Sequence, residues 1–281
     1  MARVAGTDMQ RPRPVDRDAS WRAPTAAGRA LAHATPILLV ALAWEVLAAS
    51  GTVTPFQLPR LSAVLARIWS DAVAGDLLLN TTLTLYRALT GFGIAAVAGI
   101  VLGVSMSRNV VVRWLFDPIV SVGFPMPKIA FLPIMMLWLG VYDVSKIAMV
   151  VLDAIFPVIT ATMAGIAGVD RHLLWSARNM GASERAVVWQ IVLPAACPQI
   201  MTGLQVALPI ALIVAVVAEM LMGGYGLGGA MVHASRFADS RGVFAGIVEI
   251  AVVGYALVKA MVLVRHRLLI WHQEAQAPST A

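Results

Sequence analysis

The chain has 281 residues, 59% of them hydrophobic and only 13% charged, with a mean hydropathy of +0.81. Soluble domains carry about a quarter charged residues, so this composition excludes a soluble globular fold, and without an alternation of polar and apolar positions in segments of about ten residues an outer-membrane barrel is excluded too. The net charge of +6 comes from basic residues at the ends of apolar runs, with no patch interleaved with aromatics, so it reports membrane topology and not nucleic-acid binding.

The reading is an all-α polytopic membrane protein with about six transmembrane helices. Residues 1–30, with six arginines among prolines and polar residues, read as a disordered tail kept in the cytoplasm. A membrane domain follows over residues 31–266, and residues 267–281 form a cytoplasmic C-terminal tail. The first span is expected over residues 31–50. Residues 59–69 look like a surface helix, because Leu61, Val64, Leu65 and Ile68 share one face. The second span covers residues 83–106, where Gly91, Ala95, Gly99 and Gly103 form a stripe of small residues that lets another backbone approach. Residues 107–117 read as a short cytoplasmic loop. The third span, residues 119–140, carries Pro125, Pro127, Lys128 and Pro133. The fourth, residues 144–165, carries Asp153 and Pro157. The fifth, residues 199–222, carries Pro209 and Glu219. A glycine-rich loop from 223 to 229 leads to the sixth, residues 242–264, with Glu249 and Lys259.

Between the fourth and fifth spans lies a polar interruption, residues 170–194, that still reads as helix. Asp170 can cap a helix in which Leu173, Leu174, Ala177 and Met180 recur at helical spacing. Gly181 stands where a left-handed residue closes a helix, Ser183 can cap a second one, and Pro194 is expected to stop it. Most of the basic residues outside the spans fall on the side that holds both termini and this unit, and the positive-inside bias puts that side in the cytoplasm.

The usual catalytic patterns are missing. No phosphate-binding loop occurs, since Lys128, Lys146 and Lys259 are preceded by Pro, Ser and Val. The five histidines are scattered, and the single cysteine, Cys197, allows no intramolecular disulfide. An ATPase site, a metal and a cofactor in this chain are therefore not expected. The ionisable residues inside spans, Lys128, Asp153 and Glu219, face either a partner or a wet cavity. Pro133, Pro157 and Pro209 each remove a backbone hydrogen bond in the membrane, which marks a core that can flex. These six residues form the candidate translocation path.

The 170–194 stretch resembles the cytoplasmic loop of bacterial ABC-importer permeases, whose pattern is Glu-Ala-Ala, three residues, Gly, nine residues, Ile, one residue, Leu-Pro. Ala177, Gly181, Ile191, Leu193 and Pro194 stand at the matching positions, with Ala182 beside the glycine, while Trp175 and Ser176 replace the preferred Glu and Ala. The resemblance extends to Thr84–Arg87 with Gly91 and Phe92, to residues 125–134, to the run from Phe156, to 203–207, and to 216–220 with Gly226, Leu227 and Gly228; the last is similar to the nitrate/sulfonate/taurine branch. It implies a multi-pass permease of the bacterial inner membrane, paired with a second permease chain as a homodimer. A cytoplasmic ABC ATPase that binds the ATP would dock on Trp175, Ser176, Ala177, Gly181, Ala182, Ile191, Leu193 and Pro194. A periplasmic or lipid-anchored binding protein would deliver a small solute such as a sulfonate, taurine or nitrate; relatives also carry pyrimidine-type vitamin precursors. A stand-alone ion-coupled transporter using Asp153 or Glu219, and a membrane scaffold without transport, are the alternatives.

Overall fold

The computed structural model describes residues 26–270, with side chains from residue 35. In chain order the helices are α1 (Ala26–Ala49), α2 (Leu61–Ala74), α3 (Asp76–Arg108), α4 (Val110–Gly123), α5 (Leu132–Leu139), α6 (Asp143–Ala167), α7 (Arg171–Asn179), α8 (Glu184–Val187), α9 (Leu193–Met222), α10 (Leu227–Arg236) and α11 (Ser240–Leu268). No strand occurs among the described residues. Helices α3, α6, α11 and the segment containing α9 are each long and apolar enough to cross a membrane, and α4 with α5 adds a fifth candidate if that bent pair is one span. Helix α1 contributes a shorter apolar stretch, Thr35–Ala49.

The core is α3, α6 and α9, joined through small residues. A Cβ at Gly91 would lie 2.5 Å from Val150, one at Gly99 2.8 Å from Val158, and one at Gly103 2.7 Å from Thr162. The constant offset between partners makes α3 and α6 parallel neighbours in register. On the other side of α6, Gly203 of α9 packs against the Pro157 carbonyl and Gly165 against that of Ala196, so α9 runs antiparallel. Between these contacts sit Ala95, Ala154, Ala207, Ala211 and Ala215, all fully buried. Lipid gives no hydrophobic drive for helix association, so close van der Waals approach of backbones holds these helices together. Helix α11 lies outside this core with only Ala245, Gly246 and Met261 buried. Helix α2 rests on it and is tied by Trp44 Nε1 donating to Pro59 O at 2.9 Å and by the Arg67–Asp239 ion pair.

Several expectations change. The expected loop 107–117 is helix: Asn109 alone separates α3 from α4, its side chain accepting from Val111 N at 2.9 Å and so starting the second helix at once. The third span is not continuous. It breaks after Gly123 and resumes as a 3₁₀ turn, Lys128–Phe131, and α5, bent by 98°; Pro125 and Pro127 cannot supply the N–H groups that continuity needs. Pro194 does not stop a helix. Residues Val188–Val192 widen into a π-turn, and Pro194 sits in the first turn of α9, where that slipped hydrogen-bond register accommodates its missing N–H. Gly228 and Gly229 are not loop but the start of α10, a helix that composition hides. Helix α1 begins at Ala26, inside the expected tail; the rest of that tail and residues 271–281 lie outside the described residues.

Candidate functional site

Three clusters of polar or exposed groups stand out along the bundle: the α7–α8 unit at one end, an ion pair at the break in the α4–α5 span, and a polar network at the opposite end.

The α7–α8 unit is built as its capping residues dictate. Asp170 Oδ1 accepts from His172 N at 2.8 Å, Gly181 adopts φ +83°, and Ser183 Oγ accepts from Ala186 N. The unit then divides into two faces. Ala177 is buried with Val187, Val192, Ala196 and Ile200, and Leu174, Ala182, Ile191 and Leu193 pack around them. These residues seat the unit on α9. Trp175, Ser176, Gly181 and Pro194 are exposed. Leu173 and Met180, expected on the apolar stripe of α7, point outward at 52% and 79% exposure, and Trp189 joins them at 72%. Glu184 closes the unit: it accepts from Arg178 Nε at 2.9 Å and from Arg108 Nη2 at 2.6 Å, which ties the end of α3 to α8.

At the break, Lys128 opens the 3₁₀ turn with its side chain 9% exposed. Its Nζ donates to Phe124 O at 2.9 Å, reaches Asp153 Oδ1 at 3.1 Å, and lies 4.8 Å from the Phe156 ring centre. A lone charge at mid-membrane costs at least about 2.5 kcal/mol on insertion scales, and each of these two offsets the other's penalty. Pro157 is buried one turn beyond Asp153. Its missing N–H is the one that would bond the Asp153 carbonyl, so the defect in α6 falls on the residue that holds the lysine.

At the opposite end, Arg87 of α3 is 5% and Glu219 of α9 0% exposed at their side chains. Arg87 Nη1 donates to Glu219 Oε1 and to Tyr225 O, both at 2.6 Å, and Arg87 Nε to Asp143 Oδ1 at 2.8 Å. Thr84 Oγ1 donates to Glu219 and accepts from Leu227 N, while Gly228 N donates to Glu219 Oε2 at 3.1 Å. Lys146 Nζ donates to Gly223 O at 2.8 Å. The network fastens the glycine loop and α10 onto α3, α6 and α9. A Cβ at Gly228 would meet the Val216 carbonyl at 2.2 Å, so no side chain fits there. Beside the network opens a cleft of ≈ 670 Å³ lined by Arg67, Asn80, Tyr225, His233, Arg236 and Glu249. Glu249 Oε1 is buried with no hydrogen-bond partner among the described residues.

Of the six candidate path residues, the structure brings Lys128, Asp153 and Pro157 together. Pro133 is exposed in the first turn of α5, Pro209 is half-buried on α9, and Glu219 belongs to the far network, with Asp143 ten residues before Asp153, or about 15 Å along α6. Arg87, Asp143 and Lys146 are not among the site candidates read from the sequence. The available signal was spacing: Thr84, Arg87 and Gly91 continue the small-residue stripe of α3, so they face the same core.

Comparison with known proteins adds independent findings. The family model described as "Binding-protein-dependent transport system inner membrane component" matches residues 95–269. The taurine transport system permease protein TauC of Escherichia coli (strain K12) is 31% identical over 265 residues, 92% of this chain and 96% of its own. The putative aliphatic sulfonates transport permease protein SsuC of Bacillus subtilis (strain 168) is 32% identical over 236 residues, 84% of this chain and 85% of its own. Among solved structures, an amino acid ABC transporter crystallised with histidines aligns with a TM-score of 0.57 at 15% identity, covering 72% of this chain and 95% of that one, a likeness of fold.

Proposed function

Because the chain belongs to the family of binding-protein-dependent transport system inner membrane components, we propose that it conducts a small organosulfonate of the taurine type across the bacterial inner membrane. It is a multi-pass permease subunit of an ABC importer. In this reading the α7 end faces the cytoplasm together with both termini. A separate ABC ATPase binds the ATP and docks on the exposed face of the α7–α8 unit. A periplasmic or lipid-anchored binding protein delivers solute to the glycine-loop end. A second copy of this chain completes the path. The sulfonate class is supported by the relatives TauC and SsuC.

The observation that carries the docking assignment is the division of the unit. Half of its motif residues are spent on seating it against α9. The other half stand exposed beside Leu173, Met180 and Trp189, apolar side chains held at a membrane end with nothing over them among the described residues. Apolar surface displayed this way marks a protein interface. ATP-driven closure of the ATPase pair would move the unit, and the π-turn and the α4–α5 break give the bundle places to yield.

Gly181→Val tests it. A Cβ at position 181 meets nothing within 4 Å, so the variant strains only the local φ of +83°. Membrane insertion should persist while ATPase co-purification and taurine uptake by the reconstituted complex are lost. Normal uptake would remove the docking assignment.

A further inference from the structure

We infer that the Lys128–Asp153 pair is a zwitterion-exchange site on the translocation path, selecting a solute that carries both an ammonium and a sulfonate over a simple sulfonate of the same size. The inference rests on the sulfonate reading above and narrows it.

The pair sits where two backbone breaks meet. Lys128 starts the second half of the span bent by 98°, and Asp153 stands one turn before Pro157 in α6. Lys128 is enclosed, with Phe156 at 4.8 Å and Phe124 at 5.9 Å from its Nζ. Its ammonium has three N–H groups. One goes to Phe124 O, Asp153 Oδ1 stands at ion-pair distance, and the Phe124 and Phe156 rings flank the ammonium. Asp153 is the open side of the pair, its side chain 24% exposed against 9% for Lys128. Among the described residues no donor besides Lys128 reaches its carboxylate, and its main-chain carbonyl lacks the helical N–H that Pro157 cannot supply. The lysine therefore keeps donor capacity, and the aspartate unused acceptors, at the same place.

Charge decides what such a place accepts. The pair is neutral as a unit, so a simple anion adds an uncompensated negative charge in a weakly polarisable region, whereas a zwitterion adds none. A sulfonate has three acceptor oxygens for the Lys128 donors. An ammonium two carbons away has the Asp153 carboxylate and main-chain carbonyl as acceptors. The internal contact at 3.1 Å is then replaced by two external ones, with no group left unpaired. Closing the internal pair again behind the solute releases it, so the exchange is reversible and involves no covalent step.

The test uses the full-length permease with its ATPase and binding protein in proteoliposomes, with taurine and isethionate as probes; these differ in carrying an ammonium or a hydroxyl on the same two-carbon sulfonate. Each variant is compared with wild type using the same binding protein, so selection at delivery cancels. Asp153→Asn should shift the taurine-to-isethionate uptake ratio toward isethionate by about tenfold, the discrimination that one charged hydrogen bond supplies. Asp153→Glu, which keeps the carboxylate, should hold the ratio near wild type. Lys128→Met should depress uptake of both probes, and Lys128→Arg should restore it. A ratio unchanged in Asp153→Asn, with both rates falling together or neither falling, overturns the inference and leaves the pair as a bolt across the broken span. If Asp153→Asn fails to assemble, Asp153→Glu and Lys128→Arg decide: an altered ratio in either one, with the charge retained, also overturns it. Wild-type complex that moves neither probe overturns the sulfonate reading itself, an outcome distinct from an unchanged ratio.

Discussion

Arg87 and Glu219 show how single residues fasten the glycine-loop end to the bundle. Both are withdrawn from solvent, and every polar atom of Glu219 has a donor from Arg87, Thr84 or Gly228. Removing one partner from such a pair costs about 3–5 kcal/mol, because the remaining charge is stranded, whereas replacing both by apolar groups is often neutral. Arg87→Met should therefore lower the unfolding temperature in detergent sharply, and Arg87→Met with Glu219→Met should recover most of the loss. Asp239, outside the spans, gives a pH-dependent counterpart. Burial raises its carboxyl, but the Gly242 N–H and the Arg67 guanidinium outweigh that and hold it below the ordinary carboxylate range. The stabilisation this represents is present above the unfolded carboxyl's value and is lost as pH falls through the depressed one. In melting curves from pH 7 to pH 3, the gap between wild type and Asp239→Asn should shrink toward the acid end. Lys128, Asp153 and Glu219 could be picked out from sequence because charge is rare in apolar runs. Arg87 could not be assigned there, since its partners lie 56 and 132 residues away.

At the scale of elements, apolar run length and small-residue spacing were legible, and breaks were only half legible. The stripe on α3 was read as a packing face, and the structure supplies its partner: Val150, Val158 and Thr162 of α6 fill the places where side chains are absent. Gly91→Leu should force α3 and α6 apart at Val150 and Ile147 O. Overpacking of this kind costs about 1–3 kcal/mol, and it should appear as a lower yield of folded permease and a lower melting temperature. The prolines announced interruptions without saying of which kind. Pro125 and Pro127 break a span outright, Pro157 is absorbed in a straight-through helix, and Pro194 rides on a π-turn. The difference lies in whether neighbouring backbone can re-register, a tertiary matter that local pattern does not encode. Helix α10 was missed for the same reason: its glycines pack against Val216 O and Gly224 O, a use that reads as loop composition.

Across the whole molecule, two helices connect the α7–α8 unit with the glycine-loop network. Helix α3 meets the unit through Arg108 and Glu184 and the network through Arg87; α9 grows out of the unit through the π-turn and carries Glu219 in its last turn. A push on the exposed face of the unit thus has two routes to the far end, one by contact and one along the chain. The Arg108–Glu184 pair is exposed enough that solvent screening leaves it little weight in stability. Arg108→Met should leave folding and ATPase co-purification intact while lowering import several-fold, which simultaneous measurement of uptake and bound ATPase would separate.

The four-residue rhythm of the α3–α6 contact also limits what those helices can do. Each glycine of the stripe is a notch for one larger side chain of α6, so the pair behaves like two engaged racks. Creeping by an ångström would drive Val150, Val158 and Thr162 into backbone all at once; the next notch lies four residues away, about 6 Å along the helix. Small displacements are therefore barred at this seam, and α3 and α6 must travel as one block. Whatever motion the cycle demands is handed to the seams without teeth: the bend between α4 and α5, the π-turn below α9, and the outer flank of α11.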